Sequence, residues 1–548
     1  MTASARLAKL NCHESSCSLA TGGASISVRL GGRQLSGPKS DRKRSPARRV
    51  LMAAGVLMAS PFSVLATKTL AADWPCAGRD IHNTRNAEDE HVLDASRIAE
   101  LKVLWAVTTD GNVAATPAVV DGLVYAPDFG GSLWAVDAAT GKVVWKNAIS
   151  SYTGVPGDVS RTTPAHWQGA LIMGDGAQTA HTQEGAIVFA LDAKSGRPKW
   201  RTKVEADPAA MITSAPIVDD GVVYVGVASK AESQHRPPTF RGSVLALSAD
   251  TGKILWQTYL TKEGYTGAGV WGSTPAVDHD AGLVYVATGN NYSVPVGVCG
   301  APERLNCTPS PADNYVDSIV ALDVKTGHIA WAARTLTDDV STNFDHDGPD
   351  YDFAQGPSLF TTEIGGKPTT LVGAGQKSGV YWALNPATGK VVWKTEVGPG
   401  GGLGGMMWGS ATDGKRIYVS IGNAAHVPIE IASATGESQT ITGGFWAALD
   451  AATGAVLWRT PDPQGAIDIG ALTVGNGVVY AGSLAPQGEN MYALDATTGA
   501  VKWAFASGGS VAGGSSVVDG AVYWGSGYKI GSVNGANNKL FGFGLMPE

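Results

Sequence analysis

The segment Asp137-Ala-Ala-Thr-Gly-Lys-Val-Val-Trp145 is the clearest of seven related copies that recur along the chain. Every copy has Gly at its fifth position and Trp at its ninth, and successive tryptophans lie 45 to 75 residues apart. The other six copies run over 192–200, 248–256, 323–331, 385–393, 450–458 and 495–503. Self-similarity at such a period indicates one repeat architecture rather than a string of independent domains.

Each copy has the pattern of a turn between two strands. In the turn the Asp can accept hydrogen bonds from the backbone, and the Gly can adopt a positive φ. The returning strand ends in Trp, which would pack between neighbouring sheets. A second hairpin precedes most copies, as at 119–125, 217–224 and 517–523, with Asp-Gly between apolar strands at 119–125. Two hairpins per repeat predict a four-stranded antiparallel blade, and a closed ring of blades leaves only short edges.

The two ends of the repeat region are incomplete in complementary ways. Leu101-Lys-Val-Leu-Trp105 has the strand and the Trp without the turn, and Asn538-Lys-Leu-Phe541 has a strand with no turn after it. Joining these ends predicts an eighth blade closed by both termini, with seven blades as the alternative. The predicted fold is therefore all-β, a single eight-bladed β-propeller over 73–548.

Composition agrees with this fold and limits the function. The 548 residues include 71 Gly, and 44% of them are hydrophobic, which excludes wholesale disorder and argues against a helical bundle. Residues 1–72 contain 11 Lys and Arg against 2 Asp and Glu, whereas 73–548 contain 30 against 46. An acidic body without a basic stripe argues against nucleic-acid binding, which needs phosphate neutralisation.

The N-terminal region has the order of an export signal. Five basic residues between 42 and 49 precede an apolar stretch over 50–66, and small residues follow it. Cleavage is expected after Ala66 or Ala72, so 1–72 is predicted to be a disordered extension with an export signal. A retained membrane anchor is the alternative, but Pro61 interrupts the stretch and the stretch is short for a span. The mature protein is expected to be periplasmic or secreted, without an integral membrane segment.

The repeat Asp-x-x-Thr-Gly-x-x-x-Trp resembles the tryptophan-docking motif of quinoprotein dehydrogenases, which bind pyrroloquinoline quinone (PQQ). The resemblance extends over 73–548. Outer-membrane assembly lipoproteins have similar repeats without a cofactor, so the repeat alone does not decide between a dehydrogenase and a scaffold for protein partners. A sugar or aldose dehydrogenase with the same cofactor is a third alternative. The residues at the predicted cofactor site must therefore decide among these three functions.

Four residues match cofactor-binding positions of that family. Trp271, in Gly-Val-Trp-Gly-Ser, resembles the aromatic floor that stacks on the planar quinone. Lys377 resembles the family's Lys or Arg that faces the quinone oxygens, where it would stabilise developing negative charge. Arg161 and Thr213 match residues that hold a cofactor carboxylate and hydrogen-bond the cofactor.

The resemblance also implies a metal ion and a catalytic base. Glu232 and Asn290 match oxygen ligands of Ca²⁺, a hard cation. Asp350 and Asp352 lie in the segment that supplies the Asp that takes the alcohol proton beside the metal. In one register Asp350 is the base and Asp352 an added ligand, as in lanthanide-using relatives. In the other register Asp352 is the base and Ala354 follows.

Two family features are absent and one branch is favoured. The adjacent Cys pair of many relatives is missing from 154–159, and their first-blade Glu is replaced near Ala114-Ala115-Thr116. Segments 74–79, 402–408 and 523–528 resemble the polyvinyl-alcohol-dehydrogenase-like branch. That branch implies oxidation of a secondary alcohol, as in polyvinyl alcohol and related polymers, by hydride transfer to PQQ. No Cys-x-x-Cys-His haem motif occurs, so the electrons would pass to an external acceptor such as cytochrome c.

Overall fold

The computed structural model describes residues 73–546 except 177–184, 232–238, 273, 296–311, 337–338, 340–348, 433–437 and 531–532. The predicted extension and export signal lie outside the described residues. Glu232, a predicted metal ligand, lies outside them as well.

The described residues form eight antiparallel sheets of four main strands each, so the predicted eight-bladed β-propeller is confirmed. Blades 1 to 4 contain Ala118–Val120, Leu123–Pro127, Ser132–Asp137 and Val143–Ala148; Ala165–Trp167, Ala170–Gly174, Ala186–Asp192 and Pro198–Glu205; Ile217–Asp219, Val222–Ser229, Ser243–Ser248 and Ile254–Tyr259; and Ala276–Asp278, Leu283–Ala287, Ser318–Asp323 and Ile329–Arg334. Blades 5 to 8 contain Ser358–Ile364, Lys367–Gly375, Val380–Leu384 and Val391–Glu396; Ala411–Thr412, Arg416–Ile421, Phe445–Asp450 and Val456–Pro461; Thr473–Gly475, Val478–Gly482, Met491–Asp495 and Val501–Phe505; and Ser516–Val518, Ala521–Ile530, Val533–Gly544 and Lys102–Thr108.

The remaining elements are short. Ala210–Met211 adds to blade 3, and Asn86–Ala87 pairs in parallel with the first strand of blade 7. Two ribbons pair Thr266–Gly267 with Asn291–Ser293 and Ile429–Ala432 with Ser438–Ile441. The helical segments are a 3₁₀ turn at Ile98–Glu100 and one α-turn at Ser150–Thr153. None of the helices in the described part is long and apolar enough to cross a bilayer.

Strands from the two ends of the repeat region together form blade 8, as the two incomplete repeats predict. Lys102–Thr108 pairs antiparallel with Val533–Gly544, and Trp105 stands opposite Gly542. This pairing completes the last blade with a strand from the start of the propeller. The ring is thereby closed by hydrogen bonds between strands more than 400 positions apart in sequence.

One tryptophan hydrogen bond joins each blade to the next. The indole N–H of each docking Trp donates to a backbone carbonyl of the following blade or of the segment that leads into it, at 2.8–3.2 Å. The pairs are Trp105 with Ala138, Trp145 with Ala193, Trp200 with Ala249, Trp256 with Val324, Trp331 with Pro386, Trp393 with Ala451, Trp458 with Ala496, and Trp503 with Leu101. The repeated Trp is therefore the inter-blade contact that its spacing suggests.

The repeated Gly has two structural reasons. Gly454 has φ of +76°, and a Cβ built there would lie 2.4 Å from Cε3 of Trp393 in the preceding blade. A side chain at this position would meet both backbone strain and the docked indole. The same juxtaposition of Gly and Trp recurs at six other blade junctions, as at Gly327 and Trp256.

Gly454→Ala should therefore destabilise the propeller more than a turn glycine without a neighbour. Gly477 is the matched control, because its φ is +78° and nothing lies within 4 Å of its Cβ position. Gly477→Ala should lower the free energy of unfolding by about 1–2 kcal/mol from backbone strain alone. Gly454→Ala should lower it by about 1–3 kcal/mol more from overpacking. Chemical denaturation of both variants tests this, and equal losses would contradict the stacking role.

The apolar core lies between the faces of neighbouring blades. Tyr125 and Leu133 of blade 1 belong to one buried cluster with Met173 and Phe189 of blade 2. Residues just before the innermost strands are small instead. They leave open space around the axis of the ring, and this space positions the candidate site.

Candidate functional site

A cavity lies on the propeller axis, and the space in it together with its open, solvent-filled mouth is about 530 Å³. Most of its walls come from segments that precede the first strands of seven blades, so the ring itself creates it. The described lining residues are Ala77, Arg85, Ala114, Ala115, Thr116, Arg161, Thr163, Thr213, Ala215, Gly272, Thr274, Trp408, Ala471, Ala512, Gly513, Gly514 and Tyr528. Small side chains dominate, and the few large ones are aromatic or cationic.

Two of the predicted cofactor residues line this cavity. The guanidinium carbon of Arg161 lies 4.2 Å from the centroid of the Trp408 ring, and burial lowers the pKa of Arg161. Thr213 donates its hydroxyl hydrogen to the carbonyl oxygen of Trp271 at 2.6 Å. Arg161 therefore presents a half-buried cation to the cavity, while Thr213 fixes the backbone of the predicted aromatic floor.

Trp271 contacts two lining residues of the cavity, Thr213 and Trp408, and three side chains hold its indole ring. Its indole N–H donates to Oδ2 of Asp352 at 2.6 Å. The edge of Trp408 meets it with ring centroids 5.3 Å apart and an interplanar angle of 89°. The ammonium nitrogen of Lys377 lies 5.0 Å from its ring centroid. The orientation of this indole is therefore fixed by groups from three other segments of the chain.

Lys377 joins the two predicted base candidates. Its Nζ lies 2.9 Å from Oδ1 of Asp350 and 2.7 Å from Oδ1 of Asp352. Burial alone would lower the pKa of Lys377, but the two carboxylates outweigh it and hold that pKa above its usual value. The side chain is 8% exposed, so this ammonium group is a buried, permanent positive charge between two acids.

The two aspartates differ in exposure. The side chain of Asp350 is 34% exposed and that of Asp352 only 3%. Asp350 also has a left-handed backbone, with φ of +52°. The Asp339 carboxylate accepts the backbone N–H groups of Asp350 at 3.2 Å and Tyr351 at 2.6 Å. Asp339 thus holds the backbone that turns the Asp350 side chain toward solvent.

Further carboxylates lie around the network of Lys377, Asp350 and Asp352. Asp317 is fully buried, and neither of its carboxylate oxygens has a hydrogen-bond partner among the described residues. Burial, together with Asp339, Asp352 and Asp350, raises the pKa of Asp317 well above its usual value, against the opposing charge of Arg334. Asp317, Asp339, Asp350 and Asp352 thus lie close enough to repel one another, with Lys377 and Arg334 as neighbouring cations. A divalent cation bound among these acids would offset that repulsion.

The predicted metal ligands are only partly described. Asn290 is buried, and its amide nitrogen donates to the carbonyl oxygen of Asn291 at 3.1 Å. A Cβ on the preceding Gly289 would lie 3.1 Å from Oδ2 of Asp352, which places Asn290 beside the acidic group. No three His, Cys, Asp or Glu side chains within the described ranges are placed to hold a metal ion. The fit for a cation therefore rests on charge and on oxygen donors, with Glu232 outside the described residues.

The crowded carboxylates predict a pH dependence that can be measured. Burial, with the charges of Asp352 and Asp350, raises the pKa of Asp339 to about 6, against ~3.9 in an unfolded chain. The folded state thus binds this proton more tightly than the unfolded state does. Because of Asp339, the free energy of unfolding of the metal-free protein should therefore fall by about 3 kcal/mol as pH rises from about 4 to above 6.

The variant Asp339→Asn has no such proton to lose. Its free energy of unfolding relative to the parent protein should therefore increase by about 3 kcal/mol between pH 4 and pH 7. Urea denaturation of both proteins across this range, with chelator present, gives that difference. Parallel stability curves would show that Asp339 does not titrate as the structure indicates.

The structure connects most of the predicted site residues. Trp271, Asp352, Lys377 and Asp350 form one contact network, and Thr213 adjoins it through Trp271. Arg161 reaches it through Trp408, which the site prediction missed. The roles assigned to all these residues remain predictions.

Other site residues were also missed, although a sequence signal pointed to some of them. Ala77, Trp408 and Tyr528 each lie in one of the three segments that resemble the polyvinyl-alcohol-dehydrogenase-like branch, and all three line the cavity. Asp317 and Asp339 had no such signal. Asp317 directly precedes the strand Ser318–Asp323, and Asp339 follows the strand Ile329–Arg334. A single Asp near the end of a strand is common, so the sequence alone does not mark either residue as part of a site.

Two family models match parts of the chain. A family model described as "Glucose/ethanol/alcohol dehydrogenase, beta-propeller domain", of the PQQ class, matches residues 74–399. A second model, described as "Outer membrane protein assembly factor BamB", matches residues 376–540. The second match lies mainly in the later blades and fits the shared repeat.

Curated relatives and a solved structure are similar to most of the chain. The polyvinylalcohol dehydrogenase of Sphingopyxis sp. (strain 113P3) is 31% identical, over 75% of this chain and 64% of that protein. A polyvinylalcohol dehydrogenase of Pseudomonas sp is 28% identical, over 85% of this chain and 74% of that protein. The crystal structure of quinohemoprotein alcohol dehydrogenase from Comamonas testosteroni has a TM-score of 0.66 at 22% identity, over 87% of this chain and 82% of that one, which shows a shared fold. Because the first family model covers more than half of the chain, the chain belongs to the PQQ-dependent alcohol dehydrogenase family, in the branch that includes the polyvinylalcohol dehydrogenases.

Proposed function

We propose that this protein is a PQQ-dependent dehydrogenase that oxidises a secondary alcohol, such as those of polyvinyl alcohol and related polymers. The observation that carries the proposal is the network in which the buried ammonium group of Lys377 joins Asp350 and Asp352, and Asp352 accepts the indole N–H of Trp271. A scaffold gains nothing from burying an ammonium group between two acids, because desolvation offsets the attraction of such a pair.

The groups present fit the quinone and a cation. When bound, PQQ supplies the two-electron acceptor, and Ca²⁺ or a lanthanide ion supplies Lewis acidity at the quinone carbonyl. Trp271 would hold the planar ring by stacking, and Arg161 would bind a carboxylate with its planar fork of donors. Glu232, Asn290 and the acidic residues would hold the cation with oxygen atoms.

Asp350 is the better placed of the two base candidates. Its carboxylate is part-exposed, so a substrate hydroxyl can approach it, whereas Asp352 is enclosed by Trp271 and Lys377. The carboxylate of Asp350 takes the hydroxyl proton as the hydride leaves the carbinol carbon. Asp352 positions Trp271 and Lys377, and the ammonium group of Lys377 stabilises negative charge that develops next to it.

The proposed substrate class is supported by relatives, because two polyvinylalcohol dehydrogenases are similar to this chain. An external acceptor such as cytochrome c would take the electrons. An exported protein would meet the alcohol and the acceptor in the periplasm or outside the cell.

A scaffold for protein partners is the second candidate function. It is supported by the match of residues 376–540 to the outer-membrane assembly family. This function requires neither the ammonium–carboxylate network nor the buried guanidinium groups of the cavity. Binding of the quinone separates the two candidates.

Turnover of alcohols tests the substrate proposal. The purified protein, loaded with PQQ and Ca²⁺, is assayed with an artificial dye as acceptor on polyvinyl alcohol, 2-butanol, 1-butanol and glucose. Secondary alcohols should give kcat/KM values about 10-fold or more above those of 1-butanol and glucose. A preference for glucose would overturn the alcohol assignment and favour a sugar dehydrogenase.

A further inference from the structure

We propose that Gly402 is a positioning residue for the oxidation, because its backbone holds the carboxylate of Asp350 in the place where that group takes the hydroxyl proton. This inference rests on the proposed function, in which Asp350 is the base. Gly402 acts through Asp350 and needs no contact of its own with the alcohol or the quinone.

Gly402 lies in a segment that is rich in glycine. Six of the eight residues over 398–405 are Gly. The segment connects Val391–Glu396, the outer strand of blade 5, with Ala411–Thr412, the first strand of blade 6. A backbone without side chains can approach other groups closely, so the segment is suited to pack directly against functional side chains.

The side chain of Asp350 occupies the space that a side chain at position 402 would need. A Cβ built on Gly402 would lie 2.7 Å from Oδ2 and 3.7 Å from Cγ of Asp350. Apart from its chain neighbours, no other atom of the described residues lies within 4 Å of that Cβ position. Unlike Gly454, Gly402 does not have a left-handed φ. Backbone conformation therefore does not require glycine here, whereas the place of the Asp350 carboxylate does.

Lys377 fixes the glycine-rich segment and the carboxylate relative to each other. Its ammonium nitrogen lies 2.9 Å from Oδ1 of Asp350. Its carbonyl oxygen accepts the backbone N–H of Gly401 at 3.1 Å, directly beside Gly402. The carboxylate is thus bounded by Lys377 at Oδ1 and by Gly402 at Oδ2, and the same lysine anchors both boundaries.

Asp350 needs this restraint because it is accessible. Its side chain is 34% exposed, so solvent alone would let the carboxylate rotate about the side-chain bonds. Asp339 holds only the backbone at this residue. A catalytic group that is displaced by about 1 Å loses about 100-fold in rate. The contact with Gly402 therefore completes the positioning that the backbone and Lys377 begin.

A double-mutant cycle of Gly402→Ala and Asp350→Gly tests the inference. Glycine at position 350 tolerates the left-handed backbone and removes the carboxylate. In protein loaded with PQQ and Ca²⁺, Gly402→Ala should lower kcat for 2-butanol about 100-fold with little change in KM, because the added methyl group displaces the base. In the Asp350→Gly background the same methyl group meets no carboxylate, so the remaining turnover should stay unchanged. An equal loss in both backgrounds, or an unchanged kcat in Gly402→Ala, would overturn the positioning role.

Urea denaturation of the quinone-free proteins gives a readout that does not depend on activity. Gly402→Ala should lower the urea midpoint of the parent and should not lower that of Asp350→Gly. A lowered midpoint in both backgrounds would show that the methyl group meets something other than the carboxylate, and would overturn the inference. Should Gly402→Ala fail to fold, the double variant decides, because Asp350→Gly restores folding only if the carboxylate is what the methyl group meets.

The activity of the parent separates the two proposals. An inactive parent loaded with PQQ and Ca²⁺ would overturn the dehydrogenase function and the positioning role with it. An active parent with an equally active Gly402→Ala variant would overturn the positioning role alone.

Discussion

Replacement of Lys377 by Met is expected to lower the free energy of unfolding by about 3–5 kcal/mol, because it leaves two acids without their buried counter-charge. Asp350 and Asp352 both lie within 3 Å of the ammonium nitrogen, and Asp352 is almost fully buried. Without Lys377 the two carboxylates lose the cation that lies between them and repel each other.

The same variant should lose catalysis. Removal of a charge that stabilises the developing anion costs about 100- to 1000-fold in kcat. Lys394 offers a matched control, because its ammonium nitrogen lies 4.8 Å from the Trp382 ring but its side chain is exposed. Lys394→Met should cost no more than about 1 kcal/mol and leave turnover unchanged. Thermal unfolding and steady-state kinetics of both variants measure the contrast, and similar behaviour would contradict the role of Lys377.

Asp350→Asn and Asp352→Asn should separate the base from its support. Asn tolerates the left-handed backbone at Asp350, and that side chain is part-exposed, so Asp350→Asn should keep its melting temperature. Its kcat should fall about 100- to 10,000-fold, since an amide cannot accept the hydroxyl proton. Asp352→Asn should lose about 3 kcal/mol of stability as well as turnover, because it breaks a buried ion pair.

Single-turnover reduction of the loaded protein, beside thermal unfolding, gives both quantities. A matched pair of results, stability kept in one variant and lost in the other, supports Asp350 as the base. Substantial turnover in Asp350→Asn would contradict this role and make Asp352 the base, which is the second register of the sequence motif.

The fold follows from local patterns, which is why it is predictable from one sequence. Seven of the eight docking tryptophans belong to copies of one nine-residue segment, and the turn Gly that a docking Trp meets belongs to the next copy. Even the closing strand at Lys102–Thr108 has its own Trp105, so the missing strand of blade 8 can be matched to its partner. The alternation of apolar and polar residues along the strands and the residue types in the turns contain most of the information that specifies the fold.

The site depends on contacts that sequence order does not reveal. Trp271 and Asp352 are 81 positions apart, and Arg85 reaches the backbone of Trp408 across 323 positions. Resemblance supplied Trp271, Lys377 and the Asp pair, because a family pattern already encodes such distances. Arg85 and Asp339 lie outside that pattern, so only the closed ring shows what they meet.

Titration of PQQ into the purified protein with Ca²⁺ is the most direct test of the central claim that this propeller is a quinoprotein. Absorbance and melting temperature are followed beside the controls Trp271→Ala and Asn290→Ala. The account predicts saturable, metal-dependent binding that raises the melting temperature and is weakened in both variants. No binding, with Ca²⁺ or with a lanthanide in its place, would contradict the account and leave the scaffold function.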